Sequence, residues 1–147
     1  MSKTIFHQFT LPHPPEVIWD FLTVPELMEL WLMSTNFKPE VGHHFEFRTK
    51  PKFKIGFDGT VYCQVLEVVP HQKLVYSWKG GLSKENPSLN SVVTWTLTPQ
   101  NENTILTLEH AGFDGFKNIL PYFIMNKGWV KIGNRLNLRI KEKYNVG

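Results

Sequence analysis

The sequence predicts a single α+β domain in which one antiparallel sheet packs against a long C-terminal helix. Its 147 residues suffice for one hydrophobic core, and no linker or internal repeat divides them, so we assign residues 1–147 to one domain. Hydrophobic residues make up 41% and charged residues 20%, which is typical of a globular protein rather than a disordered one. The middle of the chain alternates apolar and polar residues, whereas the C-terminal segment carries an apolar stripe of helical period.

The N-terminal part predicts one strand followed by two short helices. Residues 4–11 alternate in the manner of a strand. Pro14 and Pro15 suit the first turn of a helix, because the missing N–H has no partner there in any case. Pro25 ends this helix and begins the segment PELMELWLM, which predicts a second short helix.

Five further segments predict strands with one apolar face. They are HHFEFRTK, DGTVYCQVLEVV, KLVYSWKG, SVVTWTLTP and NTILTLEHAGF. By alternation, Phe47, Tyr76, Trp78, Trp95 and His110 fall on the apolar faces of their strands. Such strands indicate an antiparallel sheet with one covered face and one solvated face.

The C-terminal helix predicts the layer that covers this sheet. Its apolar stripe consists of Tyr122, Met125, Trp129, Ile132, Leu136, Ile140 and Tyr144. Gly128 and Gly133 interrupt the helix, and each lowers its stability by about 1 kcal/mol relative to alanine. We interpret Gly133 as room left between helix and sheet for a guest molecule, the alternative being a close approach of the helix to the sheet. Gly128 indicates a helix start, and the preceding GFKNILPYF predicts a separate short helix or a lid.

The order of strand, two short helices, several strands and a long helix is the helix-grip arrangement. Along this order the sequence resembles the activator of heat-shock-protein-90 ATPase homologue family, within the START and birch-pollen-allergen (SRPBCC) superfamily. The residues that carry the resemblance lie in PPEVIWDFLTVPELMELWL, VGHHFEF, GTVYCQVLEVVPHQKLVYSW, NTILTLEHAGF and the pair Gly128-Trp129. The resemblance covers nearly the whole chain, although His43 stands where the family often has a second glycine beside Gly42.

This resemblance implies a START-like helix-grip fold, with a curved antiparallel sheet wrapped around the C-terminal helix and a deep hydrophobic cavity between them. It does not imply one chemistry, because members of the superfamily bind lipids, sterols or polyketides, a minority catalyse reactions, and some assist chaperones. Our leading hypothesis is the non-catalytic binding of a small hydrophobic, lipid-like or aromatic molecule in that cavity.

The residues expected to bind this molecule are the inward aromatic side chains, a histidine and the helix glycine. They are Trp31, Phe47, Tyr76, Trp78, Trp95, His110, Trp129 and Gly133. Tyr76 and His110 would orient a polar end of the ligand. Inward aromatic residues also form ordinary cores, and the favoured alternative for His110 is a core histidine whose nitrogens are satisfied by the backbone.

Two other functions stay open at this point. One is a chaperone-assisting or other protein-interaction module, which the family name suggests. The other is a cyclase or hydratase-type enzyme that uses His110 or Glu67 as acid or base. Glu67 is also compatible with a solvated sheet face, and no paired acid and base is visible, so we assign no catalytic residue.

Other classes of site find no support in the sequence. The six histidines match no zinc-ligand spacing, so we expect no metal, and we expect no cofactor either. The single cysteine, Cys63, excludes an internal disulfide, and we interpret it as a small buried residue. The net charge of +3 accompanies no nucleic-acid-binding motif. No apolar run reaches the length of a signal peptide or membrane span, so we expect a cytoplasmic protein without membrane insertion. The basic residues of segment 48–54 and of the last helix could contact phosphate or a membrane surface, but such charges usually form a solvated face.

Overall fold

The computed structural model describes residues 2–49, 59–81, 87–115 and 118–144. Most of the basic segment 48–54 and two residues of GFKNILPYF lie outside these ranges. The elements along the chain are β1 (Ser2–Leu11), α1 (Pro15–Thr23), α2 (Pro25–Trp31), β2 (Ser34–Thr35), β3 (His44–Arg48), β4 (Thr60–Val69), β5 (Lys73–Gly81), β6 (Pro87–Gln100), β7 (Asn103–Asp114) and α3 (Ile119–Tyr144).

The described strands form one seven-stranded antiparallel sheet in the order β1-β7-β6-β5-β4-β3-β2. The sheet is curved and open, and with α3 it forms the predicted helix-grip fold. Sequential strands are neighbours except β1, which pairs with β7 and so brings the N-terminus beside the strand that leads into α3. The sequence analysis missed β2, whose two residues are too few for an alternating pattern.

A single residue separates the two short helices. Pro15 and Pro25 each occupy the first turn of their helix, as predicted. Val24, between the helices, is extended (φ −97°, ψ 116°), the conformation that a following proline favours. The chain therefore turns at Val24, and both helices place apolar side chains such as Phe21 and Trp31 in the core.

One irregularity in the sheet changes the assignment of faces. Val65 pairs with Tyr76, but Glu67 pairs with Val75, so Leu66 is an extra residue in β4. Side chains after this bulge no longer follow the alternation of those before it. Glu67 is consequently exposed although Val65, two residues earlier, is fully buried.

Helix α3 is one continuous helix, so the prediction of a break at Pro121 or Gly128 is wrong. Pro121 is tolerated because it lies in the first turn, where backbone N–H groups have no intrahelical partner. The buried residues of α3 are Trp129, Gly133, Leu136 and Ile140, all in its second and final thirds. The helix is therefore held to the sheet from Trp129 onward.

Candidate functional site

The structure brings the predicted ligand-binding residues together in the interior between the sheet and α3. They come from six elements, and every one is buried. Trp31 lies on α2, Phe47 on β3, Tyr76 and Trp78 on β5, Trp95 on β6, His110 on β7, and Trp129 and Gly133 on α3. The alternation of the strands thus placed these side chains on the correct face, while their contact with a ligand stays a prediction.

The indole rings pack against one another at the centre of this interior. Trp95 meets Trp31 and Trp129 edge-on, with ring centroids 5.8 and 5.5 Å apart. Trp78 lies 5.4 Å from Trp129 and 5.5 Å from Phe47. These are the distances of directly interacting aromatic rings, each pair contributing about 0.5–1.5 kcal/mol beyond area burial. These aromatic rings are therefore in direct contact with one another in this structure.

His110 is the centre of a chain of three buried hydrogen bonds. The Trp129 indole N–H donates to Nδ1 of His110 over 3.0 Å. Because Nδ1 accepts, the ring hydrogen is on Nε2, which donates to Oγ of Ser91 over 2.7 Å. The Ser91 hydroxyl in turn donates to the backbone oxygen of Trp78 over 2.8 Å. Both nitrogens of His110 are therefore engaged by protein, through side chains rather than through the backbone.

Burial fixes the charge state of this histidine. His110 is fully buried, and its ring contacts are with Trp78, Phe113 and Trp129, none of which titrates near neutral pH. Desolvation by burial lowers the pKa of His110 to about 3. The imidazole is neutral at physiological pH, and it ties α3 to β5, β6 and β7. Ser91, which the sequence analysis did not single out, shares the strand parity of Val93 and Trp95 and could have been found by it.

Tyr76 has a different hydrogen-bond environment. Its hydroxyl oxygen accepts the Trp95 indole N–H over 2.9 Å. Around the phenol ring lie Phe37, Phe45 and Phe47, with centroids 6.4, 5.3 and 5.9 Å away. Within the described residues no acceptor for the hydroxyl hydrogen is found, so this side chain keeps a donor in an apolar setting. Burial raises the pKa of Tyr76, which keeps that hydrogen on the oxygen.

The interpretation of Gly133 as empty space is wrong. A Cβ atom built on Gly133 would overlap the ring of Phe9 on β1. The glycine therefore permits the close approach of α3 to the first strand, the alternative considered above. Gly128 differs, because a Cβ atom there would meet no atom within 4 Å.

The two other residues considered for chemistry are not placed for it. Glu67 is exposed on the outer side of the sheet and pairs with Lys73 over 3.4 Å, whereas His110 is in the interior. Cys63 is buried on β4, and burial, with a smaller contribution from Glu46, raises the pKa of its thiol. A buried, protonated thiol is a poor nucleophile. Both residues match the structural interpretations, a solvated carboxylate and a small core side chain.

Two cavities lined by described residues lie outside this interior. One of about 410 Å³ is bounded by the β4–β5 turn and the end of β6, and one of about 280 Å³ is bounded by β2 and β3. Neither is lined by a predicted ligand-binding residue.

The first ten residues of α3 are the part of the helix that is least attached. None of residues 119–128 is fully buried. The segment is held by the partly buried Tyr122 and Met125, which pack against the core, with the Tyr122 ring 5.6 Å from Phe113 and 5.3 Å from Nζ of Lys3. The carbonyl oxygen of Asn126 also accepts a bond from His7 over 3.2 Å. Just before the helix, the buried Oδ1 of Asn118 has no hydrogen-bond partner. This end of α3 thus combines weak attachment with an unsatisfied acceptor.

The described ranges contain neither a metal-binding cluster nor a membrane-spanning helix. No cluster of three or more His, Cys, Asp or Glu side chains could hold a metal ion there. No helix among the same residues combines the length and apolarity needed to cross a bilayer.

Comparisons with known proteins place the chain in a family. No curated protein matches it. Among solved structures, protein MLL2253 from Mesorhizobium loti is 35% identical, with a TM-score of 0.84 over 95% of this chain and 98% of that one. CalU16 from Micromonospora echinospora is 19% identical, with a TM-score of 0.71 over 97% of this chain and 78% of that one. The Aha1 dimer from Colwellia psychrerythraea is 16% identical, with a TM-score of 0.70 over 99% of each chain. These last two similarities show the fold alone.

The sequence profile of one family matches residues 12–140, from the segment before α1 to the last buried residue of α3. This match spans most of the chain and agrees with the resemblance drawn from its motifs. The chain therefore belongs to the family of Activator of Hsp90 ATPase homolog 1-like proteins.

Proposed function

We propose that the protein binds a small hydrophobic molecule between the sheet and α3, without converting it chemically. The observation that carries this proposal is the hydroxyl of Tyr76. A buried polar hydrogen without an acceptor costs about 1–3 kcal/mol. A ligand carbonyl or ether oxygen beside Tyr76 would supply that acceptor, while the surrounding phenylalanine rings would contact the apolar part of the ligand.

The roles of the two polar candidates differ in this proposal. Tyr76 orients the ligand, because its hydroxyl hydrogen has no acceptor among the residues that the structure describes. His110 does not, because Ser91 and Trp129 already occupy both of its nitrogens. Its role is to position Trp129, and through it α3, as the floor of the binding site.

Ligand access would occur beneath the first ten residues of α3. Displacing them breaks the contacts of Tyr122 with Phe113 and Lys3, the packing of Met125 on the core and the bond from His7 to Asn126, but it removes no fully buried side chain. The second and final thirds, from Trp129 to Ile140, would stay in place. Each pair of aromatic rings that separates to admit the ligand would lose about 0.5–1.5 kcal/mol. Burial of apolar ligand surface would offset this loss by about 25 cal/mol per Å².

Native mass spectrometry of gently purified protein, followed by solvent extraction, tests the proposal. We expect a defined small molecule at near-stoichiometric amount, or reversible uptake of an apolar ketone probe by ligand-free protein. Tryptophan fluorescence reports that uptake directly, since Trp78, Trp95 and Trp129 line the site.

The substitution Tyr76→Phe removes the donor to the ligand and also the acceptor of the Trp95 N–H, so the polar contact is isolated by comparing a ketone with the matching hydrocarbon. The substitution should weaken binding of the ketone about tenfold, the value of one buried hydrogen bond, and leave binding of the matching hydrocarbon unchanged. Tyr62→Phe is the control, because Tyr62 lies on the other face of β4. Equal effects of the two variants, or protein that binds no probe from any host, would refute the proposal. A chaperone retained in a pull-down from the same ligand-free protein would then favour the chaperone-assisting alternative.

A further inference from the structure

The outer face of α3 carries an apolar surface that the ligand proposal does not use. Leu120, Phe123 and Ile124 are 58%, 53% and 60% exposed, which is unusual for three large apolar side chains on consecutive turns of one helix. Phe123 and Ile124 follow Leu120 by three and four residues, so both adjoin Leu120 on the helix surface. They point away from the sheet, on the side opposite Trp129 and Leu136. We call these three residues the apolar tip.

Basic side chains continue the same face of the helix. Lys127 follows Ile124 by three residues and Phe123 by four, so it adjoins both, and Lys131 lies one turn further. Both lysines are exposed. From Ile119 to Lys141 the helix contains no acidic residue, and Glu142 is its first. The face therefore combines exposed apolar groups with positive charge that has no acidic neighbour on the helix before Glu142.

We propose that this face of α3 docks the protein on an anionic lipid bilayer. The apolar tip would enter the boundary between headgroups and acyl chains, and Lys127 and Lys131 would contact lipid phosphates one and two turns behind it. Helices that lie in a membrane interface have this composition, with large apolar side chains on one side and lysines that reach back to the headgroups. Each lysine near an anionic surface strengthens binding about fivefold.

The position of the lysines favours a bilayer over a protein partner. Lys127 directly adjoins Phe123 and Ile124 of the apolar tip rather than lying at a distant rim. The cores of protein interfaces are depleted in lysine, because its charge would lose its water there. A bilayer does not impose this loss, since the side chain extends to the phosphate layer. A second copy of the chain is also disfavoured, because two such faces would bring four lysines together without an acidic partner.

Vesicle flotation with the full chain tests this inference. We expect binding to phosphatidylcholine vesicles that contain phosphatidylserine, little binding to phosphatidylcholine alone, and weaker binding at high salt. The double substitution Lys127→Gln/Lys131→Gln should lower the partition coefficient about 30-fold. Phe123→Ser should also lower it strongly.

The matched control is Phe6→Ser. Phe6 is 54% exposed, almost the same as Phe123, but it lies on the outward face of β1 rather than on α3. Its substitution should leave vesicle binding unchanged. Absence of binding to the anionic vesicles, or equal losses for Phe6→Ser and Phe123→Ser, would overturn the inference. So would a protein partner or a dimer that depends on Phe123 in the absence of vesicle binding. Because docking is measured without ligand, its outcome is independent of the Tyr76 experiment.

Discussion

Protonation of His110 should measurably destabilise the folded protein. The ordinary histidine pKa of 6.5 applies to the unfolded chain, whereas burial lowers the pKa of the folded residue to about 3. Between these values the unfolded chain binds a proton that the folded chain does not, so stability rises with pH. The contribution of neutral His110 is therefore fully present above about pH 6.5 and is lost progressively as the pH falls towards 3.

The size of the effect follows from the pKa difference. Each pKa unit corresponds to about 1.4 kcal/mol, so lowering the pH from neutrality to about 5 should remove about 2 kcal/mol of stability through this residue alone. That is a large share of the roughly 5–15 kcal/mol typical of a domain. The assay is urea unfolding at both pH values, followed by tryptophan fluorescence, because Trp129 donates a hydrogen bond to His110.

Other titrating groups also contribute to the pH dependence, so the comparison must be between variants. His110→Gln keeps a donor and an acceptor but cannot titrate in this range, and it should lose about 2 kcal/mol less than the wild type between the two pH values. His44→Gln, a change at an exposed residue of β3, serves as the control and should retain the wild-type dependence. Identical pH dependence in the wild type and His110→Gln would show that the burial argument is wrong.

The remaining predictions concern packing, hydrogen bonding and access. Gly133→Ala should lower the free energy of urea unfolding by about 1–3 kcal/mol because its Cβ meets the Phe9 ring, whereas Gly128→Ala, in open space, should raise it by up to about 1 kcal/mol; equal effects would contradict the close approach. Ser91→Ala should cost about 1–3 kcal/mol at neutral pH by leaving the His110 N–H without an acceptor, and its effect should be non-additive with that of His110→Gln in a double-mutant cycle. Hydrogen exchange should be faster for amides of residues 122–127 than for those of residues 132–140, and bound ligand should slow the former; uniform exchange along α3 would argue against access beneath its first third.

The comparison of sequence with structure is clearest for the sheet. Alternation in KLVYSWKG, SVVTWTLTP and NTILTLEHAGF placed Tyr76, Trp95 and His110 correctly in the interior, because side chains of a strand must alternate between two faces. By the same rule Glu67 shares a face with the buried Val65, so alternation alone could not decide whether its carboxylate is buried or solvated. The extra residue Leu66 shifts the register there, and a bulge depends on the pairing strand as well as on its own sequence.

Local periodicity and turn residues such as Pro15 and Pro25 predicted the order of the longer elements, the family and the inward side chains of the strands, but not the two-residue strand β2 or the continuity of α3. What occupies the space beside Gly133, and which polar groups of the interior are paired, followed from the packing of the elements. Phe9 and Gly133 are separated by most of the chain. His110 lies 19 residues from Ser91 and 19 from Trp129, and the three residues belong to three different elements. Contacts of that kind depend on how the elements pack, and no local pattern along a single strand or helix encodes them.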